Sequence, residues 1–173
     1  VAERVPWVRL LYLYPSDLTD ELVDTVLATG VPYFDLSLQH VSPPLMRRMR
    51  RWGSGPVFAQ RIADIRRREP AAAFRSNFIV GYPGETEAEY EELLRFVEEG
   101  RFSHAGAFLY SKEPRTPSAQ LEDNVPLSEK TRRRDALMKA QLEVSRRRLQ
   151  AQVGEVCEVM VDGPVPPGTS AST

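Results

Sequence analysis

Gln39 and His40 stand at the end of one apolar segment, Asn77 and Gly81 at the end of another, Tyr110 and Ser111 at the end of a third. Amides, an imidazole, hydroxyls and a bare glycine backbone can hydrogen-bond a polar ligand, but they supply no nucleophile of their own. The six residues either line one pocket or, in the cases of Gln39 and Asn77, satisfy loop backbone. His40 and His104 are the only histidines and Cys157 is the only cysteine. No Ser-His-Asp or Cys-His set can therefore be assembled. His40, with no second histidine or cysteine nearby, reads as a structural hydrogen bonder rather than a metal ligand. No carboxylate pair stands out as an acid–base dyad. Glu85, the one acid in the turn after Gly81, reads as a stabiliser of a helix N-terminus.

The segment Phe74–Thr86 positions the second pair. Phe74, Phe78, Ile79 and Val80 are bulky or β-branched and predict a buried strand. Gly81, Pro83 and Gly84 break it, and Glu85 and Thr86 open an acidic helix. In α/β folds ligands bind at such strand ends, although the same turn also occurs with no ligand. No Gly-Lys-Ser/Thr follows, which excludes a P-loop, and the glycine spacing does not match the dinucleotide fingerprint.

The other elements follow from periodicity. Val8–Tyr14 predicts a strand stopped by Pro15. Thr19 caps a helix with Asp20 and Glu21 in its first turn and Leu18, Leu22, Val23, Val26 and Leu27 on its apolar stripe; Gly30 ends it. Tyr33–Gln39 predicts the next strand, followed by a helix around Pro44–Arg51. After Gly53-Ser54-Gly55 a further helix runs to about Arg68 with Phe58, Ile62 and Ile65 inward. The helix after Thr86 packs through Tyr90, Leu93, Leu94 and Val97. Ala105–Tyr110 predicts a fourth strand, and 111–126 is irregular. A long helix, about Ser128 to Gln152, carries Met138, Leu142, Leu149 and Val153 on one expected packing side. Glu155–Val161 alternates like a strand opening a small β domain. Strands alternating with helices predict an α/β fold with a parallel sheet and right-handed crossovers. Four strands are too few to close an eight-stranded barrel and suit the later part of an open or partial one.

The chain has 173 residues, 42% of them hydrophobic, and a net charge of −1, which suits one globular core. No apolar run approaches the roughly 20 residues that span a bilayer, and the charged start shows no signal peptide. A lone cysteine excludes an internal disulfide and suggests a reducing compartment, hence the cytoplasm. The start at Val1 and the Pro-rich end suggest a piece of a longer protein. Charge is segregated: seven acids and one base lie between Glu85 and Glu99, eight bases and three acids between Ser128 and Val153. Arg47, Arg48, Arg50 and Arg51 form a further basic cluster, and Arg66, Arg67 and Arg68 another. Such runs are solvated helix faces or a surface that meets RNA. No aromatics alternate with the arginines, so a single-strand stacking platform is unsupported.

Phe78-Ile79-Val80-Gly81-Tyr82-Pro83-Gly84-Glu85-Thr86 resembles the fifth-strand motif of the radical S-adenosylmethionine methylthiotransferases. Trp7–Pro15 and Leu38-Gln39-His40-Val41-Ser42-Pro43, followed by Met46, Met49-Arg50-Arg51 and Gly53-Ser54, resemble the branch that modifies a small-subunit ribosomal protein. The tRNA-modifying branch usually carries different residues in both places. The resemblance covers nearly all of residues 5–162. It implies that residues 1–153 are the C-terminal portion of a radical SAM partial (β/α) barrel including its terminal helix. Residues 154–173 would be the first strand of a truncated TRAM domain and a tail. The family's 4Fe-4S clusters need cysteines that this chain lacks, so the piece alone would not start radical chemistry.

In the family, a reduced cluster cleaves S-adenosylmethionine to a radical that abstracts hydrogen from an unactivated carbon, where a methylthio group is installed. By resemblance, the cofactor-binding residues are Gln39, Arg51, Asn77, Ile79, Val80 and Gly81. Arg51 suits a carboxylate, Asn77 a ribose hydroxyl, and Ile79 to Gly81 the adenine through apolar contact and backbone. Arg115 stands where the family has a glycine, which puts the turn after Tyr110 in question. The implied function is methylthiolation of an aspartate of a small-subunit ribosomal protein. A tRNA methylthiotransferase and a cluster-less half barrel acting only as a binding module are the alternatives. The basic helix and TRAM would meet RNA or the ribosome, and no membrane is involved.

Overall fold

The structure is a computed structural model that describes residues 4–5, 7–156 and 163–164. Four strands, β1 (Leu10–Leu13), β2 (Tyr33–Gln39), β3 (Ala73–Val80) and β4 (His104–Leu109), form one sheet in the order β1-β2-β3-β4. Every neighbouring pair is parallel, as helical crossovers demand. The crossovers are α1 (Asp20–Ala28), α2 (Pro43–Arg48) with α3 (Gly55–Arg68), and α4 (Glu87–Glu98); α5 (Leu127–Gln150) follows β4.

Local chemistry starts the helices where the sequence says. Thr19 accepts the Leu22 N–H at 3.2 Å and opens α1. Thr86 and Glu89 form a reciprocal capping box at α4: each side chain accepts the other residue's backbone N–H.

Alternation sorts the sheet into two faces. Phe34, Leu36 and Leu38 of β2 and Phe74, Phe78 and Val80 of β3 face the helices. They join Val23, Val26, Phe58, Ile62, Ile65, Tyr90, Leu93, Val97 and Leu137 in one core. Phe34 and Phe74 stack with ring centroids 5.3 Å apart. The other face carries Asp35, Ser37 and Gln39, then Arg75, Asn77 and Ile79, then His104, Gly106 and Phe108. Asp35 and Arg75 pair across it at 2.8 Å.

Three expectations need revision. The first strand is only four residues long, and within it Tyr12 adopts φ 59° and the register with β2 slips between Leu10 and Leu13. Its edge is exposed, as expected, at Leu10, Leu11 and Tyr12. The apolar side expected to pack α5 faces outward instead: Met138, Leu142 and Leu149 are 37%, 58% and 66% exposed. The buried face is Lys130, Arg133, Leu137, Gln141 and Val144. Its first two members meet acids and carbonyls around the start of α4 and the end of β4, so polar residues win the contact that periodicity assigned to leucines. Finally, Glu155 and Val156 stand in no regular element, and the rest of the strand expected at Glu155–Val161 lies outside the described residues. So does most of the second domain expected at 154–173.

Among the described residues no helix is long and apolar enough to cross a membrane.

Candidate cofactor site at the strand ends

Two adjoining cavities open at the C-terminal ends of β2, β3 and β4. One, of about 410 Å³, is lined by Gln39, Asn77, Ile79, Tyr82, Phe108, Tyr110 and Ser118, among others. The second, of about 320 Å³, shares Gln39, Ile79, Tyr82 and Ser118 and adds Arg48, Met49, Arg50 and Arg51. Gln39, Arg51, Asn77 and Ile79 are therefore brought to one place, which strand-end position predicts for Gln39 and Asn77 and the family resemblance for Arg51 and Ile79.

Each is held by identifiable local structure. Gln39 has φ 70°, where β2 slips register against β3 after Leu36, so the chain turns out of the sheet at this amide. Arg51 follows Arg50, itself left-handed at φ 54°. Arg51 Nη2 donates to the Ser37 carbonyl at 2.5 Å, and its guanidinium lies 4.9 Å from the Tyr14 ring centroid. Its Nε is buried without a partner. Burial pulls this guanidinium below its ordinary value, yet arginine stays charged in proteins. Asn77 pairs in register with Gly106, and a Cβ on Gly106 would come within 2.6 Å of Asn77 Oδ1. Gly106 thus leaves the space that the carboxamide occupies.

Val80 and Gly81 are placed differently. The Val80 side chain is fully buried in the core behind the sheet, and its carbonyl accepts the Tyr110 N–H at 2.9 Å. Gly81 has φ 75°, and its N–H donates to Glu85 Oε2 at 2.5 Å. A Cβ there would lie 2.2 Å from Lys130 Cγ.

Sequence reasoning missed Tyr82, Gly106, Phe108 and Ser118. Tyr82 and Tyr110 meet edge to face at 5.2 Å, and the Tyr110 hydroxyl donates to the Ser118 carbonyl at 3.1 Å. Burial, with Tyr110 beside it, pushes the Tyr82 hydroxyl up, so it remains a neutral donor. Alternation along β4 would have placed Gly106 and Phe108 on the open face with Tyr110.

Behind the pocket, His40 Nδ1 accepts the Ser42 N–H at 3.1 Å, which leaves Nε2 to donate to Glu85 Oε1 at 3.1 Å. His40 is thus the hydrogen bonder its isolation suggested. Arg133 Nη1 donates to Glu85 Oε2 at 2.7 Å and to the Glu85 carbonyl at 3.1 Å. Glu85 is the centre of this network, a larger part than capping a helix.

The donor set fits S-adenosylmethionine. Gln39 and Asn77 can pair with ribose hydroxyls, Arg51 with a carboxylate, and Ile79, Phe108 and Tyr82 give apolar surface for an adenine. A cluster does not fit: the chain has one cysteine. The described residues contain no group of three or more His, Cys, Asp or Glu that could hold a metal ion.

Comparison with known proteins follows the same line. The fold is similar to that of coproporphyrinogen III oxidase (HemN) from Escherichia coli, a radical SAM enzyme. The TM-score is 0.59 at 16% identity, over 79% of this chain and 31% of that one. Proteins named ribosomal protein uS12 methylthiotransferase RimO are similar in sequence. That of Gloeobacter violaceus is 44% identical over 91% of this chain and 37% of its own length. The Anaeromyxobacter sp. (strain K) protein is 45% identical over 93% and 35%, and the Aquifex aeolicus protein 41% over 93% and 38%. The chain thus spans little more than a third of the length of these curated relatives. The model of the Radical SAM superfamily matches residues 2–97. That match takes in β1, β2 and β3, two of whose ends carry Gln39, Asn77 and Ile79, and on this ground the chain belongs to the radical SAM superfamily.

Proposed function

We propose that this chain is the cofactor-facing later part of the barrel of a methylthiotransferase. The whole enzyme adds a methylthio group to an aspartate β-carbon of a small-subunit ribosomal protein. The observation that carries this reading is identity of 41–45% over nine-tenths of the chain to proteins bearing that name. S-adenosylmethionine, when bound, supplies the radical-forming chemistry. The residues of this chain bind and orient it: Arg51 at the carboxylate, Gln39 and Asn77 at the ribose, Ile79 with the β3–α4 turn at the adenine. The cluster's ligands come from elsewhere, since one cysteine cannot supply them.

A ribosomal substrate places the reaction in the cytoplasm. Ribosome contact through α5 draws on only part of its basic surface. Arg132 pairs with Glu87 and Glu129, Arg134 with Asp135, Arg146 with Glu143, and Arg133 is buried.

The test is incubation of the full-length, cluster-loaded protein with S-adenosylmethionine, a sulfur source and either the ribosomal protein or tRNA, followed by mass spectrometry. The reading expects one methylthio group in place of hydrogen on an aspartate of the protein. Modification of tRNA alone, or cofactor binding with no product on either, overturns it.

A further inference from the structure

α5 reaches the ends of all three strands that carry the pocket. Lys130 Nζ lies 3.4 Å from the Tyr110 carbonyl at the end of β4, and its stem covers Gly81 at the end of β3. One turn on, Arg133 holds Glu85, whose carboxylate takes the Gly81 N–H and the His40 imidazole. His40 directly follows Gln39 at the end of β2. Two side chains of one helix therefore clamp, from behind, the backbone on which Gln39, Ile79 and Tyr82 are mounted.

Fold stability alone is a weak reason for such an arrangement. Apolar residues of similar volume often do as well as a buried ion pair. What a fully satisfied polar network adds is a unique geometry. Arg133 is satisfied throughout: Nε donates to Glu129, Nη1 to Glu85 and Nη2 to Glu87. Nor could an apolar side chain offer Glu85 a donor once Gly81 and His40 have taken their places on its oxygens.

We propose that Arg133 and Lys130 are positioning residues for the pocket: they set the spacing of its three strand ends without touching the ligand. The inference rests on the reading of the pocket as a S-adenosylmethionine site.

The experiment is calorimetric titration of S-adenosylmethionine into the full-length protein and its variants, with thermal unfolding measured beside it. Arg133→Leu removes the clamp. Arg133→Lys keeps a cation for Glu85 and guards against failure to fold. Leu137→Ala, one turn further along the same face and fully buried, opens a cavity in the core and removes none of the hydrogen bonds that tie α5 to the strand ends. The expected result is a roughly 3- to 30-fold weaker affinity for Arg133→Leu, partial recovery for Arg133→Lys, and wild-type affinity for Leu137→Ala despite its lower melting temperature. In a Gln39→Gly background the effect of Arg133→Leu shrinks, because the two then act on the same contact. Affinity that follows melting temperature across all variants, or is unchanged in the Arg133 variants, overturns the inference. Absence of binding to the folded wild type overturns the cofactor reading itself, and the inference with it.

Discussion

Arg133 Nη1 donates to Glu85 Oε2 at 2.7 Å across 48 positions of sequence, with the two side chains 5% and 0% exposed. Burial alone would depress the guanidinium, but hydrogen bonds to Glu85, Glu129 and Glu87 outweigh it and hold Arg133 above its ordinary value. The same Glu85 oxygen receives the Gly81 amide. One carboxylate thereby joins α5 to the turn beside the pocket, and each partner is needed to offset the desolvation of the others.

Gly81 and Gly30 have the same φ of 75°, but different surroundings. A Cβ on Gly30 meets nothing within 4 Å, whereas one on Gly81 meets the Lys130 stem at 2.2 Å. Gly30→Ala should lose about 1–2 kcal/mol of stability from backbone strain alone. Gly81→Ala should lose roughly 2–4 kcal/mol, because overpacking adds to the strain. Urea denaturation of both variants checks this, and equal losses would show that Lys130 does not press on the turn.

Gly106→Ala brings a methyl group against the Asn77 carboxamide, the movable end of a side chain, rather than against backbone. Melting should change little, while affinity for S-adenosylmethionine falls as Asn77 is displaced. In an Asn77→Ala background the same substitution should no longer matter to binding. Additive losses of affinity in the double variant would separate Asn77 from the ligand.

Arg115, which stands where the family resemblance puts a glycine, has a left-handed backbone, φ 70°. A non-glycine residue in that region carries steric strain. Arg115→Gly should raise stability by up to about 1 kcal/mol, measured as an upward shift of the urea midpoint. A fall would mean that the arginine side chain makes a contact of its own.

Much of this fold was legible because its signals are local. Thr19 and Thr86 cap helices through residues three positions away, and Gly81-Tyr82-Pro83-Gly84 ends a strand by backbone preference. Gln39 and Asn77 sit at strand ends by counting alone. What stayed hidden depends on distant partners. The buried face of α5 is chosen by Glu85 and by the Tyr110 carbonyl, so Lys130 and Arg133 turn inward and Met138 and Leu142 outward, against the apolar pattern. Glu85 looked like a helix-end acid because nothing nearby in sequence announces Arg133. The register slip around Tyr12 is likewise a feature for which the apolar run Leu10–Leu13 gives no warning.

Acid should weaken the ion pairs within α5 and the one between α2 and α4. Hydrogen bonds from Arg132 and then Arg133 hold Glu129 down at about 2, from an ordinary value of 4.5. Burial pushes Glu89 up, but Arg48 and Thr86 outweigh it and leave it below its ordinary value. Folded values below unfolded ones mean that the unfolded chain binds more protons between them. Their contribution is therefore complete above about pH 4.5 and is lost as pH falls toward 2. Glu129→Gln should flatten this acid limb in melting curves recorded from pH 6 to pH 2: melting falls at pH 6, where the bonds from Arg132 and Arg133 are lost, and changes little at pH 2. An unchanged limb would remove Glu129 from the acid response.

The most direct measurement is calorimetric titration of S-adenosylmethionine into the folded full-length protein and into a Gln39→Gly, Arg51→Ala variant. Glycine suits the φ of 70° at position 39 and removes the amide without adding strain. The account predicts one binding site in the wild type and its loss in the variant, with circular dichroism unchanged. Equal affinity in both proteins would contradict it, and so would a folded, cluster-loaded wild type that does not bind.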